Sequence, residues 1–168
     1  MYNTQAHRNQ IQAIIDVDAL AQVGALMMHE RKRISGRALG CIHNIVMHGS
    51  HDQLRVFLLG CPVWPIFATL LKKNESAESS MLVCEILSEL SANVDQVDLI
   101  IASNGVPVLI DLVYVSQLRM CALRTLVTIS RHRRKGHIEY IVEQRVIPAF
   151  IHVLQHGGDD EKTRAVDG

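Results

Sequence analysis

The feature that most constrains this chain is a pattern of apolar segments that occurs four times. The copies begin at Gln10, Gln53, Gln96 and His137, so their starts are 43, 43 and 41 residues apart. In each copy a second apolar segment follows, and in three copies a proline stands near its start, at Pro65, Pro107 and Pro148. Proline is tolerated in the first turn of a helix, where backbone N–H groups have no intrahelical partner. We therefore expect Pro to open the second helix of these copies.

A third, longer segment completes each copy with apolar residues at helical spacing, such as Ala122, Leu126 and Ile129. In the first copy we expect Ala38, Cys41 and their neighbours to face the core. The Asn104-Gly105 pair predicts the turn between the first and second helices, with glycine supplying a positive φ. No alternation typical of strands interrupts these segments. A three-helix repeat of this length is the signature of an all-α solenoid.

The register of the copies defines the expected domain organisation. We predict one domain over residues 1–168, built of about four stacked three-helix repeats in a right-handed superhelix. The repeats cover about 8–50, 51–94, 95–136 and 137–168, and the last is incomplete, with its third helix starting near Thr163. Uncapped repeat ends would expose apolar helix sides, so self-association through these ends is also expected.

Composition narrows the function classes. Apolar residues make up 48 % of the chain but aromatic residues only 4 %, so the core must be mainly aliphatic. The formal net charge is zero, which argues against a general nucleic-acid binder. The first ten residues, MYNTQAHRNQ, are polar, and no apolar run reaches the roughly 18 residues of a membrane span. We expect neither a nucleic-acid nor a membrane partner, and a location in the cytoplasm and nucleus.

The sequence offers no clear catalytic constellation. No phosphate-binding glycine loop follows a strand, and no nucleophile elbow or acid pair stands out. The four Cys have no paired spacing, and the nine His are spread along the chain. We therefore predict a protein that is not an enzyme, with no cofactor and no metal site.

The repeated sequence motifs resemble those of the armadillo-repeat family, and within that family they resemble importin alpha most. The motifs that carry the resemblance come from all three helices of the repeat. They are QIQAIID and QLRVFLL of first helices, GVPVLIDL and VIPAFIHVL of second helices, and ALGCIHNIVMHG and ILSELSANV of third helices. The resemblance covers nearly the whole chain. It implies a protein or an extended peptide as partner, such as a basic nuclear localisation signal, bound along a groove that the third helices line.

In importin alpha a Trp and an Asn four residues later recur on that groove. The Asn amide binds the peptide backbone, and the Trp faces hold Lys or Arg side chains. Transferred to this chain, Asn44 matches the Asn place and Gly40 the Trp place. In the second repeat Glu89 takes the Asn place and Glu85 the Trp place. The complete predicted groove is Arg37, Gly40, Asn44, His48, Glu85, Glu89, Asn93, Arg124, Thr128 and His132.

Two interpretations of the function follow. The first is a non-catalytic binding module, an importin-alpha-like nuclear import adaptor that recognises extended peptides in the third-helix groove. The alternative is an armadillo scaffold protein of a cytoskeletal, ciliary or junction assembly. The only Trp, Trp64, is interpreted as a buried plug between repeats and not as a platform for a ligand.

Overall fold

The computed structural model describes residues 4–73, 77–132 and 134–166, and within them every regular element is an α-helix. Twelve helices are present in this part of the chain, in four groups of three. They are α1 (Thr4–Asp16), α2 (Leu20–Met27), α3 (Lys32–His48), α4 (His51–Gly60), α5 (Val63–Lys73), α6 (Ala77–Ala92), α7 (Val94–Ala102), α8 (Gly105–Val113), α9 (Arg119–Arg131), α10 (Lys135–Glu143), α11 (Val146–His156) and α12 (Asp159–Val166). The all-α prediction is confirmed.

The turns between first and second helices differ in detail from the sequence prediction. Pro65, Pro107 and Pro148 each occupy the third position of their helix and do not open it. The first turn as a whole lacks intrahelical N–H bonds, so proline fits there equally well. The positive φ belongs to Asn104 (φ 60°) and not to Gly105, and Arg145 (φ 67°) takes the same conformation one repeat later.

Contacts divide the chain into two compact units, residues 1–90 and 91–168. The single domain over 1–168, its repeat boundaries and its superhelical hand stay predictions. In the first unit α2 packs along α3, and α4 packs against α1, α2 and α3. In the second unit α8 packs along α9, α11 packs against α8, and α12 packs against α9.

The core of the first unit contains the buried aromatic side chains Phe57, Trp64 and Phe67. Trp64 is buried as predicted, and its ring meets Phe67 edge-on at 6.1 Å. Gly24 of α2 allows close packing on the turn between α4 and α5, because a Cβ at this position would lie 2.6 Å from Cys61 Sγ. Cys41 is exposed, so its expected place in the core is wrong, whereas Ala38 and Ile42 are buried.

The core of the second unit is almost entirely aliphatic, as composition predicts. Val97, Leu109, Leu123, Leu126 and Val153 are at most 1 % exposed. Small residues recur where the third helices meet the core, at Ala38, Ala122 and Ala165. The start of α12 is earlier than predicted, at Asp159, because Glu161 returns to cap the backbone N–H of Gly158 at 2.9 Å.

Helices one and two of a repeat meet at a sharp angle. The bend is 72° between α4 and α5 and 90° between α7 and α8. Among the described residues no individual helix is both long and apolar enough to cross a membrane, and these two bent pairs meet that test only when their helices are counted together.

Candidate functional site

The predicted groove residues of the first repeat lie on α3. Arg37 and Asn44 are exposed, and Gly40 lies between them on the same helical stripe. Apart from its chain neighbours and the backbone of α3 itself, no atom lies within 4 Å of a Cβ built at Gly40, so this position of the helix is open. Arg37 and Asn44 therefore present polar side chains on either side of an open position of α3.

The predicted residues of the second repeat lie on α6, within the first unit. Glu85 and Glu89 are one helical turn apart and both are exposed. His43 Nε2 of α3 lies 4.0 Å from Glu85 Oε2, so the polar sides of α3 and α6 are neighbours. The two carboxylates give this surface, which we call the α3–α6 surface (Arg37, Gly40, Asn44, Glu85 and Glu89), a local negative charge beside an amide.

The predicted residues of the third repeat lie on α9, in the second unit. Arg124 is exposed. The Thr128 hydroxyl donates to the Arg124 carbonyl at 2.7 Å, so its hydrogen is used within the helix itself. The predicted groove residues thus carry a positive charge on α9, at Arg124, and negative charges on α6, at Glu85 and Glu89.

The last predicted residue of each repeat, at or just beyond the end of the third helix, makes a structural contact. The His48 ring stacks on His7 with centroids 4.5 Å apart. Asn93 lies beyond α6 and caps α7, where its side chain accepts the Asp95 N–H at 2.9 Å. His132 Nε2 donates to the Ser91 carbonyl at 2.8 Å. Of the ten predicted groove residues, these three make contacts within the fold.

A polar cluster that the sequence analysis missed joins α7 to the start of α10. His137 Nε2 lies 2.5 Å from Asp98 Oδ1, and Arg134 Nη1 lies 2.6 Å from Asp98 Oδ2. The hydrogen bond from His137 is the largest influence holding the pKa of Asp98 below its ordinary value, and the charges of His137 and Arg134 add to it. His137 itself is buried. The cluster therefore joins the first helices of two successive repeats.

A second missed feature is a pair of imidazoles on α11. His152 and His156 are four residues apart, and their ring centroids are 4.6 Å apart with 26° between the planes. Tyr114, just after α8, lies against His152 at 4.9 Å. This pair was visible in the sequence as the segment HVLQH, in which two histidines four residues apart share one face of a helix. The prediction of no metal site did not take this spacing into account, and it stays a prediction.

Comparison with known proteins places the fold. No protein-family model matches the sequence, and no curated protein sequence is significantly similar to it. Solved structures do match. The designed armadillo repeat protein YIII(Dq)4CqI superposes with a TM-score of 0.63 at 18 % identity, over 98 % of this chain and 70 % of its own.

Two further structures give similar values. The designed armadillo repeat protein YIII(Dq.V1)4CPAF, in complex with the peptide (KR)4, matches with a TM-score of 0.66 at 18 % identity, over 95 % of this chain and 66 % of its own. A computationally designed armadillo repeat protein for modular peptide recognition has a TM-score of 0.63 at 18 % identity. At this identity the likeness concerns the fold alone. The chain has an armadillo-type α-solenoid fold.

Proposed function

We propose that this chain is a non-catalytic armadillo module that binds an extended peptide along its third helices. The observation that carries the proposal is the α3–α6 surface, where Asn44, Glu85 and Glu89 are exposed on adjacent helices. An amide beside two carboxylates suits a peptide with an extended backbone and Lys or Arg side chains. Asn44 would bond the peptide backbone, and the carboxylates would pair with its cations.

The expected affinity is modest, because the groups are solvated. An exposed ion pair contributes about 0.2–1 kcal/mol, so two such pairs contribute about 0.4–2 kcal/mol. Several contacts in register would be needed for micromolar binding. The designed armadillo protein that carries the (KR)4 peptide supports this choice of ligand class, since its fold is similar.

The proposed setting is nuclear import, with the chain acting as an importin-alpha-like adaptor in the cytoplasm and nucleus. This proposal is supported by the resemblance of the repeat motifs to importin alpha and by the acidic residues of α6. The alternative remains an armadillo scaffold of a cytoskeletal, ciliary or junction assembly. The two differ in their client: an adaptor binds a short basic peptide, whereas a scaffold binds a folded partner.

The test is a fluorescence-polarisation titration of the chain against labelled (KR)4, with a neutral peptide of the same length as control. The double variant Glu85→Gln/Glu89→Gln is expected to weaken binding about 2- to 30-fold, the range that follows from 0.4–2 kcal/mol. Asn44→Ala should weaken (KR)4 binding as well, through the lost backbone contact.

The matched control is Glu143→Gln, which removes one exposed carboxylate from α10. If Glu143→Gln weakens (KR)4 as much as the α6 variants, attraction is general and the groove assignment is wrong. If (KR)4 binds no better than the neutral peptide, the adaptor proposal fails and the scaffold alternative is favoured.

We also propose self-association, through an apolar face in the second unit. Ile138 of α10 and Ile147, Ile151 and Leu154 of α11 are 41–52 % exposed. At the equivalent positions of the preceding repeat, 41 residues earlier, the side chains are at most 7 % exposed: Val97, Val106, Ile110 and Val113. The face of α10 and α11 therefore repeats an interface that α8 already forms with α11. A second copy of the chain offers a complementary helical surface of the same kind.

Light scattering over a concentration series tests this association. The chain is expected to gain mass with concentration, and Ile151→Lys should abolish that gain because it places a charge in the apolar face. Val56→Lys, at a similarly exposed valine of α4, serves as control and should leave the gain unchanged. A monomer at every concentration would contradict the proposal.

A further inference from the structure

We infer that His152 and His156 form a two-imidazole site for a divalent transition-metal ion. The two residues lie on one face of α11, and the ring centroids are 4.6 Å apart. Imidazoles four residues apart on a helix bind a metal ion in the HExxH motif of metalloproteases, so the spacing itself permits chelation. The site is independent of the peptide surface proposed above.

The tautomer of His156 is fixed by its surroundings. His156 Nδ1 lies 3.0 Å from the backbone carbonyl oxygen of His152. A carbonyl oxygen only accepts hydrogen bonds, so Nδ1 must carry the hydrogen and Nε2 keeps its lone pair. Metal-binding histidines usually donate their second N–H to a carbonyl or carboxylate in this way, because the bond fixes the ring orientation. His156 is thus prepared to coordinate a metal through Nε2.

His152 is held from the other side. Its ring is tilted by 48° against the Tyr114 ring, with centroids 4.9 Å apart, and is half-buried. This packing restricts the rotamers of His152, so less conformational entropy is lost when a metal binds. His156 and Tyr114 are exposed, so an ion reaches the pair from solvent.

The donor set defines the class of ion. Imidazole nitrogen suits Cu²⁺, Ni²⁺ and Zn²⁺, whereas Mg²⁺ and Ca²⁺ prefer oxygen ligands. Over the ranges that the structure describes, no group of three or more His, Cys, Asp or Glu residues is placed to hold a metal ion. The site therefore has two protein ligands, and water completes the coordination. The expected order of affinity is Cu²⁺ above Ni²⁺ and Zn²⁺.

The experiment titrates the purified chain with Cu²⁺ by calorimetry and follows the Cu²⁺-induced broadening of amide signals by NMR. His152→Gln and His156→Gln are each expected to weaken binding by about ten-fold or more, because loss of a second-shell contact alone costs 10- to 100-fold. His51→Gln, at an exposed histidine of α4, is the matched control and should change the affinity less than two-fold. Broadening should appear first in α11 and around Tyr114.

The NMR readout separates this site from other histidines, including the stacked His7 and His48. Broadening centred on α1 and the end of α3, or equal affinities for the chain and both α11 variants, would overturn the inference. Circular dichroism of His156→Gln is expected to be unchanged, since Gln is a good helix former, so a lost site reports a lost ligand.

Discussion

His137 Nε2 donates to Asp98 Oδ1 at 2.5 Å, and this contact ties the first turn of α10 to α7 of the preceding repeat. The same relationship occurs in the first unit. Gln53 is likewise the third residue of its helix, α4, and its side chain donates to Gln12 of α1 at 3.1 Å. Gln12 and Asp98 occupy the same position in their repeats, two residues after the repeat starts at Gln10 and Gln96. A side-chain bond at one repeat position therefore joins successive first helices within each unit.

The first prediction concerns the identity of residue 137. His137→Ala removes the donor to Asp98, and a hydrogen bond to a charged group is worth about 1.5–3 kcal/mol. Asp98 is half exposed, so we expect the loss in unfolding free energy at the lower end of that range. His137→Gln should retain most of the stability, because Gln53 makes the equivalent contact. Urea unfolding followed by circular dichroism measures both variants; equal losses for Ala and Gln would contradict the shared role.

The second prediction is a pH dependence. The hydrogen bond from His137 first, and then the charges of His137 and Arg134, hold the pKa of Asp98 below its ordinary value of 3.8. A group with a lowered pKa in the folded state stabilises the fold above its unfolded pKa. This contribution is lost as the pH falls below about 4 through the folded pKa, since the unfolded chain then binds more protons.

The measurement is unfolding free energy between pH 6 and pH 2.5. Asp98→Asn should be less stable than the unchanged chain at pH 6, and the difference should shrink as the pH falls. Asp111→Asn, at an exposed carboxylate of α8, is the control and should not reduce the pH dependence. A constant difference between the chain and Asp98→Asn across this range would rule out the linkage.

The third prediction concerns the ion pair that fastens α12 to α9. Arg119 Nη1 donates to Glu161 Oε2 at 3.1 Å, and Arg119 Nε donates to the Val113 carbonyl at 3.0 Å. The side chains are 9 % and 18 % exposed, so this pair is largely buried. Removing one member of a buried pair costs about 3–5 kcal/mol, because the other charge is left without its partner. We expect Arg119→Met to cost about 3 kcal/mol, at the lower end of this range.

A double-mutant cycle isolates the pair from the packing of Arg119. Arg119→Met, Glu161→Gln and the double variant should show a coupling energy of about 0.5–3 kcal/mol. Glu139→Gln removes the exposed pair with Lys135 and should cost less than about 0.5 kcal/mol. Additive losses from the two α9–α12 substitutions would show that no direct interaction stabilises this contact.

The repeat architecture could be predicted from the sequence because its determinants are local. Apolar residues at helical spacing place Ala38, Ala122 and Ala165 at one repeat position, and all three are buried. The same register predicts the three-helix groups. The armadillo-type fold follows from this periodicity, since each repeat buries its apolar face only against a neighbour.

The parts that could not be predicted depend on tertiary contacts. The left-handed conformation of Arg145 is unusual for arginine. Asp18 and Asn104 adopt it in the corresponding turns, which shows that the turn requires it. His48 and His132 have helical spacing typical of groove residues, yet they contact His7 and the Ser91 carbonyl. Helical spacing predicts which side of a helix a residue occupies. It does not predict which neighbour the residue meets there.

The last prediction tests the peptide surface by placing a larger side chain on it. In the resemblance to importin alpha, Gly40 takes the Trp place, four residues before Asn44. Apart from its own helix backbone and chain neighbours, no atom lies within 4 Å of a Cβ at this site. Gly40→Trp should therefore fold normally, because glycine within a helix is less favourable than other residues by up to about 1 kcal/mol. A cation over an exposed Trp ring gains about 0.5–1 kcal/mol, so the affinity for (KR)4 should rise about two- to five-fold.

Two controls make the result specific. Gly36→Trp adds the same side chain to α3 at another open glycine, eight residues before Asn44, and should give a smaller gain in affinity for (KR)4. Gly40→Trp/Asn44→Ala should lose most of the gain, because the amide no longer holds the peptide backbone over the ring. An equal gain from both Trp variants, or a gain that survives Asn44→Ala, would show that Trp only adds apolar surface. In that case the exposed side of α3 is not where the peptide binds.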